Sequence, residues 1–324
     1  MKYHQRMKVK NAGCYYHLFN RIAGFDENDY PFTTEDKEHG VNLIRNLCEY
    51  YLIEVISVAW MGNHFHLVVY APGQDELPPA QEIAARHNNY YKTMKHLYTY
   101  TFLPNIDPRN TRQIEKISLN MIDISCFMKA VQQRFSRAYN KRHKRHGRLW
   151  QNTFRSVILQ GISSLKACIN YVELNPVRAG LTESPENYRH TTWGNYCLTG
   201  KHMFYENFVK HYRGSLYRED TSNWSDNDLL NYFRSDLKRI VAAETGAPDE
   251  EVINIIKSAR PKPTMQLNFL QRTRHFTEGA ILGSKEFILE IAGRFKDPEK
   301  VKKKHLSHGP DTSGEEIYCF RMLK

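Results

Sequence analysis

EVISVAWMGNHFHLVVY, residues 54–70, is the stretch whose reading decides how this chain folds. Two runs rich in β-branched and aromatic residues meet at Gly62-Asn63, a dipeptide suited to a tight turn, so the stretch reads as an antiparallel hairpin. Upstream, CYYHLFNRI (14–22) has the content of a strand. Val41, Leu43, Ile44, Leu47, Cys48 and Tyr51 then form a helical stripe over 38–51, with Thr33 or Thr34 as its cap. Downstream, 117–142 is helical in pattern, with Met121, Ile124, Met128 and Val131 on one stripe, and TFRSVIL (153–159) alternates like a strand. Ser163 or Ser164 caps a further helix running to Asn175, where Pro176 disfavours helical geometry in the residue before it. The order is β-α-β-β-α-β plus a helix, which is the split βαβ or ferredoxin-like order. An α+β fold built on an antiparallel sheet is predicted.

The remaining segments fit around that core. Pro72, Pro78 and Pro79 punctuate a loop, and 80–100 reads as an exposed, Tyr-rich helical insertion within 73–115; 103–113 reads as loop. Past residue 200 the patterns at 226–241 and 249–256 are helical, ARPKP (259–263) reads as a linker, and 278–294 as a turn followed by an amphipathic helix. A Lys-rich stretch (Lys300, Lys302, Lys303, Lys304) precedes a polar tail. A chain of 324 residues is expected to form two domains, here 1–200 and a mainly helical C-terminal extension, 201–324, suited to DNA binding or interaction.

Composition narrows the partners. Lys and Arg number 46 against 35 Asp and Glu, a net charge of +11, and aromatics at 12% are too plentiful for a disordered chain. No apolar run reaches the length of a membrane helix, and no apolar stretch follows the basic MKYHQRMKVK, so neither a membrane span nor a secretory signal is expected. Six scattered cysteines without a CxxC pair argue against a zinc ribbon or a disulfide framework and fit a reducing cytoplasm. The charge is uneven: residues 1–200 hold 25 Lys and Arg against 17 Asp and Glu, a net of +8, whereas 201–324 carry only +3. Lys129, Arg134, Arg137, Lys141, Arg142, Lys144, Arg145, Arg148 and Arg155 fall in 129–155 with no acidic residue among them. Such a run reads as a polyanion footprint or as a solvated helix face. Tyr139, Trp150 and Phe154 interleave with it, which suits bases stacked on rings between phosphate contacts, although Trp150 suits the core equally.

Two further features carry chemistry. His64 and His66 flank Phe65 on one strand, so their side chains share a face with Cα atoms about 6.6 Å apart, while Phe65, Leu67 and Val69 point to the other. Two such imidazoles can take neighbouring positions on one metal ion, or be surface histidines. Tyr171 and Asn175 lie four apart on a helix and share its face; alone, they read as a core-edge tyrosine and a helix-end cap. If that helix packs beside the histidine strand, an amide oxygen meets two imidazoles with a phenol one turn away. Two nitrogens and an oxygen leave coordination positions open, as a metal needs to polarise a phosphate for attack by Tyr171.

MGNHFHLVVYAP (61–72) and NYVELNPVRAGL (170–181) resemble the two signature segments of the single-tyrosine HUH transposases, nearest the insertion-sequence-200-like and REP-associated tyrosine transposases. RHGRLWQNTFRS (145–156) and SPENYRHTTWGNY (184–196) resemble segments that flank and close that family's domain, so the likeness covers about residues 10–200. It implies an HUH endonuclease fold, with Mg²⁺ or Mn²⁺ held by His64, His66 and Asn175. It further implies that Tyr171 attacks single-stranded or hairpin DNA and becomes joined to its 5′ phosphate. Arg134, Arg137, Lys141, Arg142, Lys144, Arg145, Arg148, Trp150, Arg155 and Arg178 are then candidates for contacting DNA. Enzyme and DNA would meet in the cytoplasm, at the nucleoid, as monomer or homodimer. The long 73–115 region and the C-terminal extension depart from compact members, which leaves a second expectation open: a domesticated protein that binds palindromic repeats without cutting. RNA would also suit the charge.

Overall fold

The hairpin and its neighbours form as the alternation requires. In the computed structural model, which describes residues 7–9, 11–24, 29–94, 105–216, 219–245, 274–294, 306–308 and 317–320, β1 (Cys14–Arg21) pairs antiparallel with β3 (His64–Ala71). β2 (Glu54–Trp60) flanks β3, and β4 (Arg155–Leu159) lies on the other side of β1, both antiparallel. The order β2-β3-β1-β4 is that of a split βαβ unit. The turn falls at Gly62-Asn63: Trp60 pairs with Phe65, and inside that pair the Met61 N–H donates to the His64 carbonyl at 2.8 Å, across those two residues.

Each sheet face has its own cover. α1 (Thr34–Cys48) and α4 (Ile124–Arg142) bury Tyr16, Leu18, Trp60, Phe65, Leu67 and Val69. α5 (Ser163–Arg178) lies on the opposite face over Ile56, Ala59 and Val68. α1 begins on a capping box at Thr33 and Asp36. The helix expected over 117–142 is two, α3 (Thr111–Met121) and α4, because the Asp123 carboxylate caps a new start by accepting from the Ser125 and Cys126 N–H groups. Nor is the Tyr-rich helix fully exposed: α2 (Ala80–Met94) buries Ile83, Tyr90 and Met94 with Tyr50 and Met121.

Residues beyond 190 complete the cover and extend the sheet. α6 (Thr192–Thr199), α7 (Tyr205–Ser215) and α8 (Asp226–Thr245) surround α5. Next come α9 (Arg274–Glu278), β5 (Ile281–Gly283), α10 (Lys285–Gly293), β6 (Leu306–His308) and β7 (Tyr318–Phe320). β5 joins β4 in parallel, giving a seven-stranded sheet of order β2-β3-β1-β4-β5-β7-β6. The described part of the C-terminal region is mainly helical, as expected, and adds three strands that are too short to show a period-2 pattern. The patterns at 249–256 and 259–263, the lysines at 300–304 and residues 95–104 lie outside the described residues. Among the described residues no helix is long and apolar enough to cross a membrane.

One buried carboxylate sets how α5 sits. Glu173 is 1% exposed; its Oε1 accepts from Ser57 Oγ of β2 at 2.7 Å, and its Oε2 from the Trp193 N–H of α6 at 3.0 Å. Burial pushes its carboxyl up to about 7 against the pull of these donors. Glu173→Ala orphans both donors and opens a void, and is expected to cost about 3–5 kcal/mol. Glu173→Gln keeps an acceptor for Trp193 and a donor for Ser57, and should stay close to the parent. The folded protein holds the Glu173 proton above the ordinary carboxylate value of 4.5. The parent's stability should therefore fall, relative to the Gln variant, as pH rises from about 4.5 to 7, and level off above that. Thermal melts of the three proteins across that range check both expectations.

Candidate active site

α5 carries Tyr171 and Asn175 to the sheet. The helix continues through Pro176 to Arg178 rather than stopping at Asn175, a correction to the reading of Pro176 as a terminator. Its end lies at Gly180, in the left-handed region at φ +66. The Gly180 N–H donates to the Val177 carbonyl at 3.0 Å and the Leu181 N–H to the Pro176 carbonyl at 2.9 Å, a Schellman closure. Burial of α5 together with this closure outweighs the preference of a pre-proline residue for extended geometry. Neither Ser163 nor Ser164 caps the other end: the cap position is Ile162, and Ser164 is turned back to donate to the Gln160 carbonyl.

The histidines meet that helix from β3. His66 lies opposite Phe19 of β1, and His64 opposite Arg21. The Asn175 amide Nδ2 stands 3.2 Å from His66 Nε2, donating to it, and Asn175 also contacts His64 and Tyr171. The two imidazoles are edge-to-face, with ring centres 4.9 Å apart. On its far side, His64 Nδ1 lies 2.6 Å from Asn63 Oδ1. Asn63 uses its amide nitrogen on the Asp29 carbonyl at 2.7 Å, so its oxygen faces His64 and accepts the Nδ1 proton. That places the His64 lone pair on Nε2. Burial, with Arg21 adding its positive charge, lowers His64 to about 4 against the pull of Asn175. Burial, then the neighbouring His64 and His17, holds His66 well below the ordinary imidazole value. Both rings are therefore neutral near pH 7, as metal ligands must be.

Tyr171 completes the group. Its ring lies 5.6 Å from that of His66 and stacks on Phe276 of α9 at 4.6 Å, nearly parallel. It is 6% exposed, and Arg178 sits 5.6 Å from the ring centre while pairing with Glu244 of α8 at 2.7 Å. Burial raises the phenol to about 12, with Asn175 and Arg178 working the other way. Among the described residues no group of three His, Cys, Asp or Glu side chains is arranged for a metal. The donor set is instead two neutral imidazoles and one amide, with His64 and Asn175 only half-buried, and it fits a hard divalent ion that keeps part of its water.

The candidate DNA contacts divide into three groups. Trp150 is corrected to a core residue: it is 6% exposed, packs on Phe32, Phe65 and Phe135, and donates its Nε1–H to the Gln132 carbonyl at 3.1 Å. Tyr139 and Phe154 are buried as well, so none of the three interleaved rings offers a base platform. Arg142 is occupied with Asp36 and Glu35, and Arg134 donates to the Tyr90 hydroxyl. Burial alone would raise the Asp36 carboxyl, but Thr33, His143 and Arg142 together hold it below its ordinary value. Arg145 is half-buried, whereas Arg137, Lys141, Lys144 and Arg148 are exposed and form no ion pair among the described residues. Arg155 and Arg178 are the two brought to the site: Arg155 is exposed and lies opposite Phe19, in one row across the sheet with His66.

No family model matches the chain, and no curated protein matches it. One similar solved structure is described as "Structure of the REP associates tyrosine transposase bound to a REP hairpin". The likeness is distant. Identity is 13% and the TM-score 0.38, over 62% of this chain and 87% of that one.

Sequence reasoning missed four participants: His17, Arg21, Asn63 and Phe276. His17 left a signal, since alternation on β1 puts it on the same face as Tyr15 and Phe19, a polar ring amid aromatics. Arg21 and Asn63 depend on the β1–β3 register, and Phe276 left none.

Replacing Arg137, Lys141, Lys144 and Arg148 together with Gln should leave the melting temperature unchanged. It should weaken binding to a labelled single-stranded hairpin and lower the log–log salt slope by about three. Arg142→Ala should act oppositely, costing about 2 kcal/mol of stability at Asp36 with little change in that slope. Melts and salt-titrated binding curves check the pair.

Proposed function

We propose that the protein is a metal-dependent DNA strand transferase of the HUH single-tyrosine kind, which cuts and rejoins single-stranded or hairpin DNA. The observation that supports this best is the convergence of Tyr171, His64, His66 and Asn175 from separate elements onto one face, with Arg155 and Arg178 beside them. Tyr171 Oη would attack a backbone phosphorus; the P–O3′ bond breaks, a tyrosine–phosphate bond forms, and the phenolic proton goes to the departing 3′ oxygen. The bond energy is kept in the 5′-phosphotyrosine, so a 3′ hydroxyl can reverse the step and rejoin the strand. Mg²⁺ or Mn²⁺ held by His64 Nε2, His66 Nε2 and the Asn175 amide oxygen would, when bound, supply the Lewis acid that makes the phosphorus open to so weak a nucleophile. Asn175 must turn its amide to present that oxygen. Arg155 would hold a flanking phosphate, and Arg178, released from Glu244, another.

In this reading 1–200 is the catalytic unit, 201–324 an extension that covers it and contacts DNA, and the place of action the cytoplasmic nucleoid. One observation favours a second reading, a domesticated protein that binds palindromic repeats without cutting: Tyr171 lies beneath Phe276.

The test incubates the protein with Mn²⁺ or Mg²⁺ and labelled hairpin oligonucleotides, and reads denaturant-resistant protein–DNA adducts on a gel. The parent should form an adduct, a chelator should abolish it, and Tyr171→Phe should bind the hairpin undiminished yet form none. Binding by the parent without an adduct on any hairpin supports the second reading.

A further inference from the structure

His17 is buried on β1 with both ring nitrogens engaged. Its Nδ1 lies 2.9 Å from the Phe276 carbonyl and its Nε2 2.9 Å from His66 Nδ1. The direction of this chain of bonds follows from its end. A carbonyl only accepts, so the His17 proton is on Nδ1, its Nε2 is a lone pair, and His66 must donate from Nδ1. At the other end His66 Nε2 receives the Asn175 amide hydrogen at 3.2 Å, so it carries no proton of its own. The His17 and His66 rings are near parallel, 17° apart, with centres separated by 5.0 Å, and Phe19 stacks on both. His66 therefore has little freedom to turn its ring over.

We infer that His17 is a positioning residue: by accepting the His66 Nδ1 proton, and being oriented itself by the Phe276 carbonyl, it holds His66 in the tautomer whose Nε2 lone pair faces Asn175. The inference rests on the reading of His66 as a metal ligand for its purpose, though not for its chemistry. A ligating imidazole needs one nitrogen bare and the other anchored, and removing such an anchor commonly costs 10–100-fold in metal affinity. A neutral histidine as the anchor adds no charge to the site, unlike a carboxylate. It also makes the state of His66 depend on a backbone group supplied from α9.

Nitrogen-15 NMR of the metal-free protein, labelled at histidine, reads the tautomer directly; Mn²⁺ titration followed by electron paramagnetic resonance reads affinity. His66 should appear as the Nδ1–H form in the parent. His17→Phe preserves a buried ring but removes the acceptor. It should shift His66 toward the Nε2–H form and weaken Mn²⁺ by 10-fold or more, with folding checked by circular dichroism. His17→Gln, whose amide can accept from His66 and donate to Phe276, should restore both readouts to within a few-fold. An Nε2–H tautomer in the parent overturns the inference, whatever the variants do. So does a folded His17→Phe variant with parental tautomer and affinity. If the parent binds no Mn²⁺ while His66 shows the Nδ1–H form, the relay stands and the strand-transferase reading loses its metal.

Discussion

Neutral histidines can share the covered face of a sheet only if their ring protons find acceptors, and in this protein the β1–β3 register brings His17 to the Nδ1 proton of His66. With Phe19 opposite His66, His17 sits one diagonal step away and reaches His66 Nδ1; with Arg21 opposite His64, the strand end adjoins Asn63. A slip of one residue would turn His17 to the opposite face and leave His66 with an unmatched buried donor. The register is held from the other face, where Tyr16, Leu18, Phe65 and Leu67 pack under α1 and α4. At the turn, the Ile22 N–H donates to the Asn63 carbonyl at 2.9 Å.

The second constraint is rotational. Tyr171, Glu173 and Asn175 are spaced by two, so Glu173 lies about 200° around α5 from each of the others. Fastening Glu173 to Ser57 and to the start of α6 therefore turns the faces bearing Tyr171 and Asn175 toward β3. The Schellman closure at Gly180 fixes the final turn in which Asn175 stands. Rows across the sheet and rotation of one helix together bring the four candidate residues into contact.

Much of this was legible in the chain because it rests on short periods. Alternation put Phe65 and His66 on opposite faces, and four-residue spacing put Tyr171 above Asn175. What escaped depends on partners far apart in sequence. Arg142 reads as a free cation until Asp36, a capping-box residue at the start of another helix, claims it. Trp150 reads as a platform among charges until the fold sets it between the end of β1 and α4, where Phe32, Phe65 and Phe135 close around it. Pro176 reads as a stop because the local rule weighs one residue's backbone, whereas a helix buried on most sides carries the penalty. Phe276 had no local signature at all.

Phe276 touches both halves of the site by different groups. Its ring covers the Tyr171 ring, while its carbonyl orients His17 and, through it, His66. The ring contact belongs to the side chain and the acceptor to the backbone, so the cover on Tyr171 and the anchor of His17 are separate groups of one buried residue. Had the ring and the acceptor belonged to different elements, covering Tyr171 and orienting His17 would have set independent demands on the C-terminal residues. Placing both on α9 lets the backbone of one residue orient His17 while its side chain covers Tyr171.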